Sequence, residues 1–168
     1  LKSLPGVRLS AVHDSNSTAA SAAAAEFACT PVPSLDALRE HADFAVVATP
    51  TITHAAIACE LLESGLDVLV EKPIAATVEE AERIAATAAR HGRVLQVGHL
   101  ERFNPAVTVL EKLVRLPLFF EVHRLSIFTP RSLDVDVVLD LMIHDLEIIL
   151  ALTNAEPEEI RAAGISIL

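Results

Sequence analysis

The chain has 168 residues, 52% of them hydrophobic, and its 23 acidic and 13 basic side chains give a formal net charge of -10. That length can bury a core and accommodate one complete domain with part of another, while the negative balance excludes a general affinity for nucleic acid or an anionic membrane. No apolar run reaches the roughly 18 residues that span a bilayer and no basic-then-apolar leader opens the chain, so a cytoplasmic protein is expected.

The chain opens on Leu1 and its only methionine is Met142, so further sequence upstream is expected. Residues Val7 to Val12 read as a short apolar strand, and Asn16 to Phe27 as a helix capped by Ser15 or Ser17. Its alanine-rich run, Ala19 to Ala25, is helical scaffold. Pro31 to Pro33 is a brief extended piece, Ser34 caps a short helix through His41, and Phe44 to Thr49 is a continuous apolar strand expected to be buried on both faces. His54 to Ser64 is a helix stopped by Gly65, and Asp67 to Val70 a further strand. Thr77-Val78-Glu79-Glu80 forms a capping box for a helix ending at Gly92, and Val94 to Val97 is the next strand. Cys29 and Cys59 fall in helix-like segments with no metal-ligand spacing, which points to buried, reduced thiols and no metal site.

Short apolar strands alternating with helices indicate parallel crossovers, hence an α/β fold with a doubly wound parallel sheet over residues 1–100. After Gly98 the rhythm changes. A helix near Pro105 to Arg115, a long strand from Leu118 to Phe128, a polar loop and a helix from about Val137 to Leu152 open a second domain over residues 101–168.

Ligands of open parallel sheets bind beyond the carboxyl ends of the strands, so the residues just after each strand are the ones to inspect. Asp14 follows the first strand, where a carboxylate accepts hydrogen bonds from an adenosine ribose and repels a 2′-phosphate, favouring NAD; capping the next helix is its alternative role. Thr49-Pro50-Thr51 follows the next apolar strand and either approaches a cofactor or caps a helix. Glu71-Lys72-Pro73 follows the third: either a surface ion pair, or a lysine that hydrogen-bonds a reacting hydroxyl and stabilises charge developing on its oxygen. Asp140 and His144 are four residues apart, on one face of the expected helix, as a surface pair or as groups that move a proton near neutral pH. His99, Arg102 and Asn104 mark the crossing between domains, where substrates commonly lie.

The segments Ala48-Thr49-Pro50-Thr51 with His54, Glu71-Lys72-Pro73-Ile74, Val97-Gly98 through Arg102-Phe103-Asn104-Pro105, and Asp140 with His144 and Asp145 together resemble the Gfo/Idh/MocA family of dinucleotide-dependent oxidoreductases. The resemblance covers almost the whole chain and implies a Rossmann domain followed by an α+β domain with an open, mostly antiparallel sheet, of which Ala163 to Leu168 would begin a strand. It implies NAD as cofactor, Lys72 as the catalytic lysine, His144 as general acid/base and Asp140 as a partner of that histidine that contacts substrate. Thr49, Pro50, His54, Glu71, Lys72 and Pro73 would line the nicotinamide half of the cofactor, and Asp14 would hold its ribose. The family's first strand and glycine-rich phosphate-binding turn have no counterpart here.

Within the family, Gly98 to Pro105 and Asp134 to Asp145 are most similar to enzymes that oxidise the 3-hydroxyl of UDP-N-acetylglucosamine. Arg102, Arg124 and Arg131 are then candidate diphosphate contacts, with solvated arginines as the alternative. An inositol or free-sugar dehydrogenase and a non-catalytic dinucleotide-binding regulatory protein are the competing readings. The expected partners of the intact chain are a sugar or nucleotide sugar and further copies of itself as a homo-oligomer, with no nucleic acid and no membrane.

Overall fold

The computed structural model describes residues 4–125 and 135–165. They divide into two compact units, residues 4–98 with 135–140 and residues 99–125 with 141–165. In the first unit the order is β1 (Ala11–Val12), α1 (Ser17–Phe27), β2 (Thr30–Pro31), α2 (Leu35–Leu38), β3 (Phe44–Val47), α3 (Thr51–Glu63), β4 (Asp67–Val70), α4 (Val78–His91) and β5 (Leu95–Val97).

Local chemistry accounts for the helix boundaries. Asn16, rather than either neighbouring serine, caps α1, its side chain accepting from Thr18 and Ala19 N–H. A lone carboxamide oxygen placed at that position reaches two of the orphan donors of the first turn. Ser34 caps α2, and Thr77 accepts from Glu80 N–H at the start of α4. Glu80 in turn reaches Ala76 N–H, one residue earlier than an ideal capping box. Helix α3 starts at Thr51, three residues before its expected start, with Pro50 at φ -57° as the extended residue before it. Gly92 ends α4 at φ 61°, a left-handed position that costs glycine nothing.

Every strand pairing is parallel. Val47 pairs with Val70, and Val70 with Val97, along the sheet β3-β4-β5. Helices α3 and α4 cover this sheet. Thr51, His54, Ala55, Ala58, Leu61 and Leu62 recur at helical spacing on the buried side of α3, and Ile84, Thr87 and Ala88 on that of α4. Leu61, Leu62, Val70 and Ile84 are fully enclosed, each contributing roughly 1.5–3 kcal/mol of transfer free energy.

The single sheet expected from the sequence is present as two pieces, β2-β1 and β3-β4-β5. In a doubly wound order of 3-2-1-4-5-6 the first strand lies between the second and the fourth. The two pieces correspond to 3-2 and 4-5-6, and among the described residues no strand joins them. A cavity of about 800 Å³ is lined by residues 6–15 and 41–50. Phe44 and Val46, on a strand expected to be buried on both faces, are 41% and 38% exposed.

In the second unit a 3-10 turn, Leu100–Phe103, leads through Asn104, whose side chain accepts from Ala106 N–H, into α5 (Pro105–Leu113). Helix α6 (Ile143–Thr153) ends at Asn154 in a left-handed conformation. The expected strand from Leu118 to Phe128 is not formed over its described part, 118–125, and 163–165 are not a strand either; 126–128 and 166–168 lie outside the described residues. The segment is rich in strand-forming apolar residues, but Leu118 is 86% exposed, and a strand without a neighbour to take its hydrogen bonds is not stable. Cys29 and Cys59 are free and only partly buried, and Cys29 follows α1 rather than lying within a helix. Among the described residues no helix is long and apolar enough to cross a membrane.

Candidate active site

The strand ends of the first unit bring the expected site residues into two places. Asp14, Thr49 and Pro50 line the same cavity, beyond the carboxyl ends of β1 and β3. Asp14 is exposed, and one of its oxygens accepts from Asn16 N–H at 2.8 Å. Its helix-capping alternative thus passes to Asn16, leaving Asp14 as a turn-forming carboxylate at the cavity wall. The Thr53 hydroxyl, which the sequence reading did not single out, donates within reach of Thr49 Oγ1 at 2.8 Å and Pro50 O at 2.7 Å, fixing the turn after β3.

Beyond β4 lies the second place. Lys72 Nζ donates to the main-chain oxygen of Asp140 at 2.7 Å and to its carboxylate Oδ1 at 2.9 Å, with the two side chains 21% and 20% exposed. The peptide bond Lys72–Pro73 is cis. Glu71 packs against Gly98: a Cβ on Gly98 would stand 2.9 Å from Glu71 Oε2 and 3.4 Å from Glu71 Cα. That close approach explains a glycine directly after β5 and gives the sequence reading a contact it lacked.

His54 was expected to line a cofactor. The structure buries it to 1% exposure and engages both ring nitrogens with backbone carbonyls, Nδ1 with Pro73 at 2.9 Å and Nε2 with Thr49 at 2.8 Å. The ring thus joins the turns that carry the site residues and has no nitrogen left to offer a ligand.

Asp140 lies in a π-helical turn, Val138–Met142, and not in the regular helix expected from Val137. Asp136 Oδ1 caps this turn by accepting from Val138 and Leu139 N–H. The wider winding changes the register on which the four-residue spacing of Asp140 and His144 was read, and such turns concentrate at functional sites. His144 is the second residue of α6 and is partly buried.

In the second unit Arg102 and Arg124 are not free cations. Arg102 Nη1 pairs with Glu147 at 2.9 Å, and Arg124 forms a two-pronged pair with Asp145 at 2.7 and 2.6 Å. The Arg124 hydrogen bonds hold the Asp145 carboxyl below its ordinary range, and the same bonds raise the Arg124 guanidinium above its own. A diphosphate binding at either arginine would have to share it with, or displace, that carboxylate. His99 Nδ1 is buried without a hydrogen-bond partner among the described residues, and Asn104 is occupied as the α5 cap. Arg131 lies outside the described residues. Among the described residues no group of three or more His, Cys, Asp or Glu could hold a metal ion.

The residues beyond the strand ends suit a dinucleotide in part. A carboxylate stands beyond β1, hydroxyls and a helix N-terminus beyond β3, and a lysine beyond β4. No Gly-x-Gly-x-x-Gly run occurs in the sequence, whose five glycines are scattered, so these 168 residues supply no glycine-rich pyrophosphate cradle.

Comparison with known proteins agrees with this arrangement. Residues 1–99 match the family profile of the oxidoreductase family with an NAD-binding Rossmann fold, GFO_IDH_MocA. The chain is 42% identical to UDP-N-acetylglucosamine 3-dehydrogenase from Acidithiobacillus ferrooxidans, a match covering 95% of this chain and 51% of that protein. The solved structure of that enzyme, GnnA, superposes with a TM-score of 0.90, covering 95% of this chain and 53% of the other. Inositol 2-dehydrogenase 2 from Saccharopolyspora erythraea is 32% identical over 85% of this chain and 45% of its own length. The WlbA dehydrogenase from Bordetella pertussis, solved with NADH and UDP-GlcNAcA, is 30% identical with a TM-score of 0.61 over 64% of this chain and 32% of that one. The chain thus spans about half the length of the first of these relatives. A parallel, helix-covered sheet with Lys72 beyond β4 and a match over residues 1–99 establish the conclusion: the chain belongs to the Gfo/Idh/MocA family of NAD-binding oxidoreductases.

Proposed function

We propose that the intact protein oxidises a sugar hydroxyl with NAD, most specifically the 3-hydroxyl of UDP-N-acetylglucosamine or a related nucleotide sugar. The observation that carries this reading is Lys72, held by Asp140 through two hydrogen bonds at the mouth of the sheet. NAD, when bound, would supply the acceptor for the hydride of the carbinol carbon. Lys72 donates to the reacting oxygen and stabilises the negative charge that develops on it as its proton is taken. His144 takes the hydroxyl proton, and Asp140 orients the lysine through its two hydrogen bonds. Asp14 receives the adenosine ribose, and Thr49 and Pro50 bound the cofactor on the side of β3. Groups acting this way typically contribute about 10² to 10⁴-fold each.

The nucleotide-sugar assignment is supported by 42% identity over 95% of the chain to an enzyme named for that substrate. An inositol 2-dehydrogenase shares 32% identity over 85% of this chain, which keeps a free cyclitol as the second reading. Turnover of UDP-N-acetylglucosamine against myo-inositol by the full-length protein separates the two. Retention of NAD without turnover of either would instead support a regulatory role, which the presence of Lys72, Asp140 and His144 together argues against. The same reading makes the intact enzyme a cytoplasmic homo-oligomer, testable by light scattering of the full-length protein and by fractionation of cells.

A further inference from the structure

We infer that His54 is a positioning residue, tying the turn after β3 to the turn after β4 and thereby holding Lys72 on Asp140. The assignment rests on the reaction proposed above. Strands β3 and β4 run in parallel with Val47 opposite Val70, so their outgoing turns emerge side by side. Their ladder closes with Glu71 N–H donating to Val47 O at 2.9 Å. Beyond that bond the imidazole bridges the two chains, Nε2 at 2.8 Å from Thr49 O and Nδ1 at 2.9 Å from Pro73 O. Pro73 is bonded directly to Lys72, so a shift of its carbonyl moves the lysine backbone.

The ring is reached from a rigid position. His54 sits in the first turn of α3, among Ala55, Ala58 and the other core residues of that helix, and is 1% exposed. The Pro73 contact is buried and the Thr49 contact part-buried, so losing the ring would take the imidazole donor away from a carbonyl that water reaches poorly. Both partners are acceptors, so a neutral ring donates to one carbonyl at a time. An asparagine places its amide nitrogen near the Nδ1 position and can keep the bond to Pro73; leucine keeps neither bond.

The test uses the full-length enzyme and four variants: His54→Leu, His54→Asn, Lys72→Ala and His54→Leu with Lys72→Ala. His54→Leu is expected to lower kcat about 10- to 100-fold, as small misplacements of reacting groups do, while KM for the sugar and Kd for NAD stay within about threefold. His54→Asn should recover most of that loss. The double variant should be no slower than Lys72→Ala alone, because His54 acts through the lysine. Multiplying losses in the double variant, or wild-type kcat in His54→Leu, would overturn the inference. Should His54→Leu not fold, His54→Gln replaces it, with the same expected deficit relative to His54→Asn. If Lys72→Ala itself turns over like wild type, the proposed reaction fails and position alone decides. A crystal structure of the His54 variant must then show Lys72 Nζ displaced from Asp140 Oδ1, and an unmoved lysine overturns the inference.

Discussion

Lys72 and Asp140 are 68 residues apart in sequence, and the lysine ammonium donates to both the main-chain and the carboxylate oxygen of the aspartate. Two bonds to one residue make the contact unequal under substitution. Asp140→Asn keeps the main-chain acceptor at 2.7 Å, whereas Lys72→Ala removes everything. In the intact enzyme Asp140→Asn should therefore lower kcat by about tenfold, and Lys72→Ala by about 10² to 10⁴-fold. Steady-state kinetics on the two variants check the order, and a larger loss from Asp140→Asn than from Lys72→Ala would refute it.

Cofactor choice follows from Asp14, an exposed carboxylate on the wall of the cavity beyond β1. Its charge should repel a 2′-phosphate, giving the intact enzyme a higher kcat/KM with NAD than with NADP. Asp14→Ser should narrow that gap. Equal or better use of NADP by the unmodified enzyme would contradict the assignment.

Gly98 and Glu71 offer a test independent of activity. A methyl group on Gly98 would meet Glu71 Oε2 at 2.9 Å, so Gly98→Ala must displace the glutamate side chain. The cost should be about 1 kcal/mol, the low end for overpacking, because the far end of a flexible side chain is what moves. Urea denaturation measures it, and adding Glu71→Ala should return much of the loss. A purely additive double variant would show that the two residues do not collide.

The Arg124 pair makes stability depend on pH in a stated direction. Asp145 is held below its ordinary range in the folded state, so the pair contributes fully above the unfolded carboxylate range. That contribution fades as the pH falls through the lowered folded value. Melting curves from pH 7 down to about pH 3 should drop less steeply in Arg124→Ala than in the unsubstituted protein. Parallel curves would remove the pair from the account.

Residues 1–168 by themselves should bind NAD weakly, because no glycine-rich cradle is present to hold the pyrophosphate. Calorimetry giving micromolar affinity for this stretch alone would mean that the cradle is supplied by residues not recognised here.

Much of the first unit was legible. The order of elements, the parallel pairing and the positions of Asp14, Thr49 and Lys72 after their strands all follow from apolar runs punctuated by Gly, Pro and cap residues. Three features were not. The partnership of Lys72 with Asp140 spans distant sequence, and no periodicity encodes it. His54 has the residue type of a ligand, but only its burial shows that backbone carbonyls occupy both nitrogens. The strand expected from Leu118 carries the right pattern, yet strand formation requires a neighbour, which a pattern within one segment cannot specify.

The central claim is that Lys72 and His144 act on one reacting hydroxyl, and kcat of the full-length protein with NAD and UDP-N-acetylglucosamine tests it most directly. Lys72→Ala and His144→Ala should each lose about 10² to 10⁴-fold in kcat while Kd for NAD stays within about threefold, and the double variant should lose less than the product of the two. If both single variants instead remain within a few-fold of the unsubstituted enzyme, Lys72 is a structural partner of Asp140 and the chemistry lies elsewhere.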